Sequence, residues 1–323
     1  MAEFDLIAHI AARAVRRADV ALGIGDDAAV LQPRPGEQLV ACCDTLNVGV
    51  HFPHDAEAAD IGWKSLAVNL SDLAAMGATP AWALLSLSLP RADTEFVSGF
   101  MEGFAALADS AGVALVGGDT TSGPLAITVT ALGWVPHGQA LLRSGAKVGD
   151  VVCVSGTLGD AAAALHLYQH GARCEAPAQT ALRARMARPG PRLDLGVALR
   201  GVAHAAIDVS DGLLADLAHV ARASGVGIEL DAACLPASNA LRSVFDGDDC
   251  RRFMAIGGDD YELAFTLTAA AFETLCQTWD RQTLPITRIG RVVEGSGVVL
   301  RDAEGQVIDY GRTGWEHFSG AGP

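Results

Sequence analysis

Residues 64–89, KSLAVNLSDLAAMGATPAWALLSLSL, pose in one run the choice between a membrane segment and a buried core. From Leu73 to Pro90 there is no charge, a stretch that approaches the length of a membrane span. Its interior argues otherwise: Gly77 and Pro80 interrupt a helix, and LLSLSL then alternates with the two-residue period of a strand. The sequence therefore predicts a helix over Ala56–Met76, a Gly/Pro break and a strand over 81–89. The second uncharged stretch, 125–142, is read as core too, with LAITVTALGWV at 125–135 as a strand.

Outward from this stretch, LVACC at 39–43 is a short apolar strand ending at Asp44. Phe96, Phe100, Phe104, Leu107 and Ala111 recur at helical spacing, which predicts a helix whose aromatic stripe faces the core. The connector RSGAKVGD (143–150) is followed by a fresh strand, VVCVSG, so domains are expected at 1–143 and 144–323. In the second half, helices are expected near 158–170, across 178–201 and at 212–224 and 269–279. Strands are expected at 203–208, 227–231, 260–268, 285–293 and 297–302. The fold class is α/β (α+β), two domains with mixed sheets, which 323 residues accommodate. There is no tandem repeat, and the terminal SGAGP is expected to be disordered.

Half the residues are hydrophobic and 19% charged, the composition of a globular protein. A net charge of −15 repels nucleic acid and anionic membrane, so neither is an expected partner. A polyphosphate would need cations, backbone amides or local basic residues, yet the only lysines are Lys64 and Lys147 and no GxxxxGK[ST] loop exists. Seven cysteines without a CxxC pattern, and an N-terminus with acids where a signal peptide is basic, fit a reducing cytoplasm. His166 and His170 lie four apart but lack a third ligand and read as a solvated face. HExxH, GxSxG and GxGxxG are absent.

The chemistry concentrates in aspartates placed after apolar runs and beside glycine: GIGDDAAVL (23–31), CCDTL (42–46), NLSDLAAMGA (69–78), GGDTT (117–121), DVSDG (208–212) and GGDDYEL (257–263). A short carboxylate at a strand end suits hard cations such as Mg2+, and neighbouring glycine lets backbone N–H groups approach phosphate oxygens. Each motif alone reads equally as a turn or a helix cap. Six in one acidic chain point to a metal–polyphosphate site, because unneutralised carboxylates would raise one another's pKa.

These segments, with DTLNVGVHF (44–52), LRSGAKVGD (142–150) and GGDDYELAFT (257–266), resemble thiamine-monophosphate kinases, nearly end to end. The resemblance places the chain in the ATP-binding superfamily of aminoimidazole ribonucleotide synthetase. It implies an N-terminal mixed-sheet dimerisation domain, a C-terminal α/β domain, and phosphorylation of thiamine monophosphate by ATP. An amidine-forming ligase of that superfamily is the alternative. Selenophosphate synthetase and the hydrogenase-maturation relative fit less well, since the first cysteine is Cys42 and the chain ends SGAGP.

Carried over by motif, the resemblance assigns several Mg2+ ions to Asp27, Asp44, Asp72, Asp119, Asp208 and Asp211. It assigns ATP to Gly118, Asp119, Arg143 and Ser210, and thiamine monophosphate to His51, Asp259 and Trp315. No catalytic base is expected, because a phosphate monoester is already mostly a dianion at neutral pH. Two motifs depart from the family pattern, at three positions. Cys42 and Cys43 replace Ser and Thr, and a thiol is a poor Mg2+ ligand, so contact there would use backbone oxygen or water. Asp259 replaces Glu, which puts water between it and the thiamine ring.

Overall fold

The computed structural model describes residues 3–315 except 15, 26 and 281, so the SGAGP expectation lies outside the described residues. The chain divides into two compact units. One takes the chain to Leu73 and Ala78–Ala140; the other takes Ala74–Gly77 and the chain from Leu141 onward.

The first unit contains α1 (Glu3–Ala11), β1 (Val20–Leu22), β2 (Val30–Leu31), β3 (Glu37–Asn47), most of α2 (Ala58–Ala75), β4 (Thr79–Leu89), α3 (Thr94–Ala111), β5 (Ala114–Ser122) and β6 (Ala126–Pro136). Its main sheet runs β3-β6-β4-β5, antiparallel except for the parallel β4/β5 pair that α3 connects. Phe100 and Phe104 of α3 are fully buried, as their spacing predicts. Helices α2 and α3 meet at glycines: a Cβ on Gly62 would stand 1.9 Å from the Phe100 carbonyl oxygen, and one on Gly103 1.7 Å from that of Ala59. The α3 end is capped on both sides, by the Asp93 carboxylate on the Phe96 N–H and by Gly112 in the left-handed region.

The second unit contains β7 (Val151–Ser155), α4 (Asp160–Gln169), α5 (Ala176–Ala187), α6 (Leu193–Ala198), β8 (Ala205–Asp208), α7 (Leu213–Ser224), β9 (Gly227–Asp231), α8 (Asn239–Val244), α9 (Gly247–Ile256), β10 (Leu263–Leu267), α10 (Ala269–Thr278), β11 (Ile286–Val293), β12 (Gly297–Arg301) and β13 (Val307–Ile308). The sheet order is β13-β12-β9-β11-β7-β10-β8, antiparallel except for β12/β9. Alternate residues of β7 enter opposite cores: Val152 and Val154 join Leu213 and Leu217, while Val151 and Cys153 join Leu195 and Leu275. Helices on both faces explain why β7, β8 and β10 read as continuous apolar runs.

The sequence reading did not include α1, β1, β2, β5, α8, α9 or β13. GGDTT looks like a turn, yet it is an edge strand, admitted because Gly118 takes φ 147° where a Cβ would lie 1.8 Å from the Leu85 carbonyl oxygen. Helix α8 has only six residues and begins where the Ser238 hydroxyl accepts the Leu241 N–H at 3.0 Å, while α9 opens on Gly-Asp-Asp, which reads as a turn.

Candidate functional site

Strand β3 alternates, so Cys42 and Asp44 face inward while Cys43 and Thr45 face out. Asp44 lies beside Asp72 of α2, close enough for the two carboxyls to share a hydrogen bond. Burial holds the Asp44 carboxyl above its usual range, and the hydrogen bond with Asp72 draws it back. The same two carboxylates, after burial itself, push the Cys42 thiol up. Cys42 Sγ donates to the Asn69 carbonyl oxygen at 3.3 Å, so this thiol is engaged with the helix. Cys43 is exposed, opposite Thr130.

Asp119 sits elsewhere in this unit. Its register partner on β4 is Ser86, which aligns with Thr128 and Thr45 on the outward face. Strands β3 and β5 are the two edges of the sheet, three strand spacings or about 14 Å apart. Asp27 is exposed in the bend before β2. Asp44 and Asp119 lie within strands rather than at their ends, and Asp72 lies in α2, inside the helix expected over Ala56–Met76. His51 is half-buried: its Nδ1 accepts the Asn47 N–H at 3.0 Å and its carbonyl accepts Lys64 Nζ at 3.0 Å.

In the second unit, β8 ends at the buried Asp208, and the turn through Ser210 and Asp211 leads into α7. Asp216, in the first turn of α7, reaches back: its Oδ2 accepts the N–H groups of Ser210, Asp211 and Gly212 at 3.0, 3.1 and 3.1 Å. Burial first, then the charges of Asp208 and Asp211, push the Asp216 carboxyl up to about 8. The same turn holds two further candidates. The Asp259 N–H donates to the Ser210 carbonyl at 2.8 Å, and the N–H of the exposed Trp315 donates to that of Asp211 at 3.0 Å. Arg143 is exposed, and its charge helps lower the pKa of His219, after burial.

The 257–262 loop rests on a polar network. Glu262, fully buried, accepts from Ser155 Oγ at 2.6 Å, Arg185 at 2.8 Å and Arg192 Nε at 2.7 Å, with a second contact from the Arg192 guanidinium. Asp260 takes the Gly159 N–H on both carboxylate oxygens, at 3.0 and 2.8 Å.

The predicted metal positions therefore fall into sets: Asp44 with Asp72, and Asp208 and Asp211 around Asp216, with Asp119 on the opposite edge of the first unit's sheet from Asp44 and Asp27 in the bend before β2. Among the described residues, no three His, Cys, Asp or Glu side chains form a ready-made ion cage. Mg2+ is commonly held by one or two carboxylates completed by water and substrate phosphate, and two carboxyls brought side by side are apt positions for it. The donor set fits that cation. His166 and His170 stack at 4.2 Å, but His166 packs edge-on against Phe245 and Phe253 and is half-buried, not solvated.

Asn69, Asp216, Tyr261 and Glu262 were missed as site residues. Asn69 had a signal, since it stands one helical turn before Asp72, and Asp216 likewise follows DVSDG at the distance of a first-turn helix residue.

Residues 25–135 match the AIR synthase related protein N-terminal domain and 147–303 its C-terminal domain, so the two units with their mixed sheets define an AIR synthase related protein. Within that class the relatives are specific. Thiamine-monophosphate kinase of Escherichia coli is 43% identical over 98% of each chain. The crystal structure of thiamine-monophosphate kinase from Stenotrophomonas maltophilia is 54% identical, with a TM-score of 0.88 over 95% of this chain and 98% of that one. AaThiL complexed with AMPPCP and TMP is 35% identical, with a TM-score of 0.79 over 98% and 97%. The chain belongs to the thiamine-monophosphate kinase family.

Proposed function

We propose that this chain, as a cytoplasmic homodimer, transfers the γ-phosphate of ATP directly to thiamine monophosphate, giving thiamine diphosphate. What carries this reading is the full-length match to AaThiL, whose structure holds AMPPCP and TMP. No helix among the described residues is long and apolar enough to cross a membrane. In this reading the two domains meet between 143 and 144, three residues past Ala140, where the compact units divide.

In this reading Asp27, Asp44, Asp72, Asp119, Asp208 and Asp211 would hold Mg2+, which when bound neutralises phosphate charge. Arg143, Ser210 and the backbone at Gly118 and Asp119 bind and orient ATP. Asp216 fixes the 210–212 turn through the backbone N–H groups of Ser210, Asp211 and Gly212. On the acceptor side, the indole of Trp315 is a stacking surface for the cationic thiazolium or flat pyrimidine, with His51 and Asp259 as polar contacts. No residue needs to remove a proton, because the acceptor phosphate is already ionised.

The homodimer rests on the outward face of the first unit's sheet. There Cys43, Thr45, Thr128 and Thr130 lie beside Leu84, while Leu39 is half exposed on β3. These small and apolar residues on β3, β6 and β4, away from Asp119 on the β5 edge, are suited to a second copy.

The deciding experiment incubates the purified protein with MgATP and thiamine monophosphate and follows thiamine diphosphate by chromatography. Formation that stops in excess EDTA is the expected result. Absence of product with Mg2+ present refutes the activity, and full turnover in EDTA refutes the metal requirement.

A further inference from the structure

The segment GGDDYEL is built in two directions. Asp260 and Glu262 point into the protein: Asp260 is 2% exposed and bonded to the Gly159 N–H, and Glu262 is gripped by Ser155, Arg185 and Arg192. Asp259 and Tyr261, alternating with them, are the two non-glycine residues with positive φ among the described residues, at 68° and 53°. That conformation is strained for a non-glycine residue, so it persists only where its surroundings impose it. Here the buried anchors on either side impose it, with two main-chain bonds of 2.8 Å, from the Asp259 N–H to Ser210 and from the Tyr261 N–H to Val209.

The consequence is a contact between two side chains. The Tyr261 hydroxyl donates to Asp259 Oδ1 at 2.9 Å, and the tyrosine is 9% exposed while the aspartate is only half-buried. A hydroxyl bonded to a carboxylate makes a charge-assisted bond that fixes the carboxylate's rotamer and plane. The backbone holds the donor rigidly, so the direction in which Asp259 presents its charge is set by Tyr261.

The geometry points to Tyr261 as a positioning residue that aims the Asp259 carboxylate at thiamine monophosphate, and so sets affinity for that substrate without taking part in phosphoryl transfer. This inference rests on the assignment of Asp259 to the thiamine side. It extends that assignment to a tyrosine which reaches the substrate only through its neighbour.

The test uses the full chain in three variants, Tyr261→Phe, Asp259→Asn and the double variant, with thiamine monophosphate and ATP varied separately and melting temperature measured for each. Removing one oxygen leaves the ring packing in place, so the phenylalanine variant is expected to fold. Loss of a hydrogen bond to a charged group should raise KM for thiamine monophosphate about tenfold. At the same time kcat and KM for ATP should stay within about twofold of the parent, since only ground-state aim is lost. Asp259→Asn should raise the same KM, and the double variant should be no worse than Asp259→Asn, because the tyrosine acts through the carboxylate. If Asp259→Asn raises KM and Tyr261→Phe does not, the positioning role is overturned while the assignment of Asp259 stands. If Asp259→Asn leaves KM unchanged, both are overturned. A fully additive double variant, or a loss confined to kcat, overturns the positioning role as well.

Discussion

Asn69 Oδ1 accepts the backbone N–H of Asp44 at 3.1 Å while its Nδ2 donates to the Ser65 carbonyl at 3.1 Å. One fully buried amide thus joins α2 to β3 at the point where Asp44 meets Asp72. Asn69→Ala leaves the Asp44 N–H without that acceptor and opens a small void. We expect a loss of about 2 kcal/mol in urea unfolding, with kcat reduced because Asp44 is no longer held beside its partner. Unchanged stability and turnover would show that this amide does not organise the pair.

Asp44→Asn and Asp72→Asn probe the pair itself. Burial works against the charge on Asp44, so neutralising it relieves an electrostatic cost in metal-free protein. Each variant should melt in EDTA no lower than the parent and yet lose phosphoryl transfer by at least about a hundredfold, the scale seen when a principal charge-stabilising contact is removed. Mg2+ should raise the parent's melting temperature and leave that of the variants nearly unmoved. Retained activity in either variant removes that residue from the metal assignment.

Sequence reading captured what depends on local pattern. The helix at 58–75, the Phe96–Phe100–Phe104 stripe and the strand at 227–231 follow from period and burial, which short segments carry by themselves. GGDTT was opaque as a strand, since its place at the sheet edge depends on the close approach of Leu85 to Gly118, a contact between distant segments. The site was legible as motifs and not as geometry. Nothing in NLSD or DVSDG says that Asn69 holds Asp44, or that Asp216 turns back on three N–H groups. Those are properties of side chains brought together by the fold.

The outward sheet face predicts the assembly. Thr45 Oγ1 and Thr128 Oγ1 lie 2.8 Å apart on it. We expect light scattering at micromolar concentration to return twice the chain mass. Thr45→Arg, which places a charge on that face without touching the core, should yield a folded monomer. A parent monomer under the same conditions contradicts the dimer.

Asp19 gives a pH dependence away from the metal positions. Arg17's hydrogen bonds, at 2.9 and 2.8 Å, hold its carboxyl below the ordinary 3.8, helped by the Trp82 indole N–H at 3.2 Å and opposed by burial. A lowered folded pKa means that stability from this carboxylate is fully present above the unfolded value and is lost as pH falls through the folded one. Asp19→Asn should therefore lower the urea midpoint at pH 7, and the gap to the parent should narrow below about pH 4. A gap independent of pH would mean that the side chain contributes through shape and not charge.

The last prediction concerns the route of the phosphoryl group. A covalent intermediate needs a nucleophile activated by a base or a lowered pKa. His51 is the histidine nearest in sequence to the DTL aspartate, but its Nδ1 accepts the Asn47 N–H and so does not present the Nδ1–H that a carboxylate holds in an activated imidazole. Its assigned role is with thiamine monophosphate, and His51→Ala should raise KM for that substrate more than it lowers kcat. The acceptor phosphate, ionised at neutral pH, can attack ATP directly. A single in-line displacement inverts configuration at phosphorus, and two in succession restore it. With ATP made chiral at a γ-thiophosphate, the thiamine diphosphate analogue should emerge with inverted configuration, and protein incubated with γ-labelled ATP alone should carry no label. Net retention, or labelled protein, would establish a phosphoenzyme and reassign His51 or another side chain as its carrier.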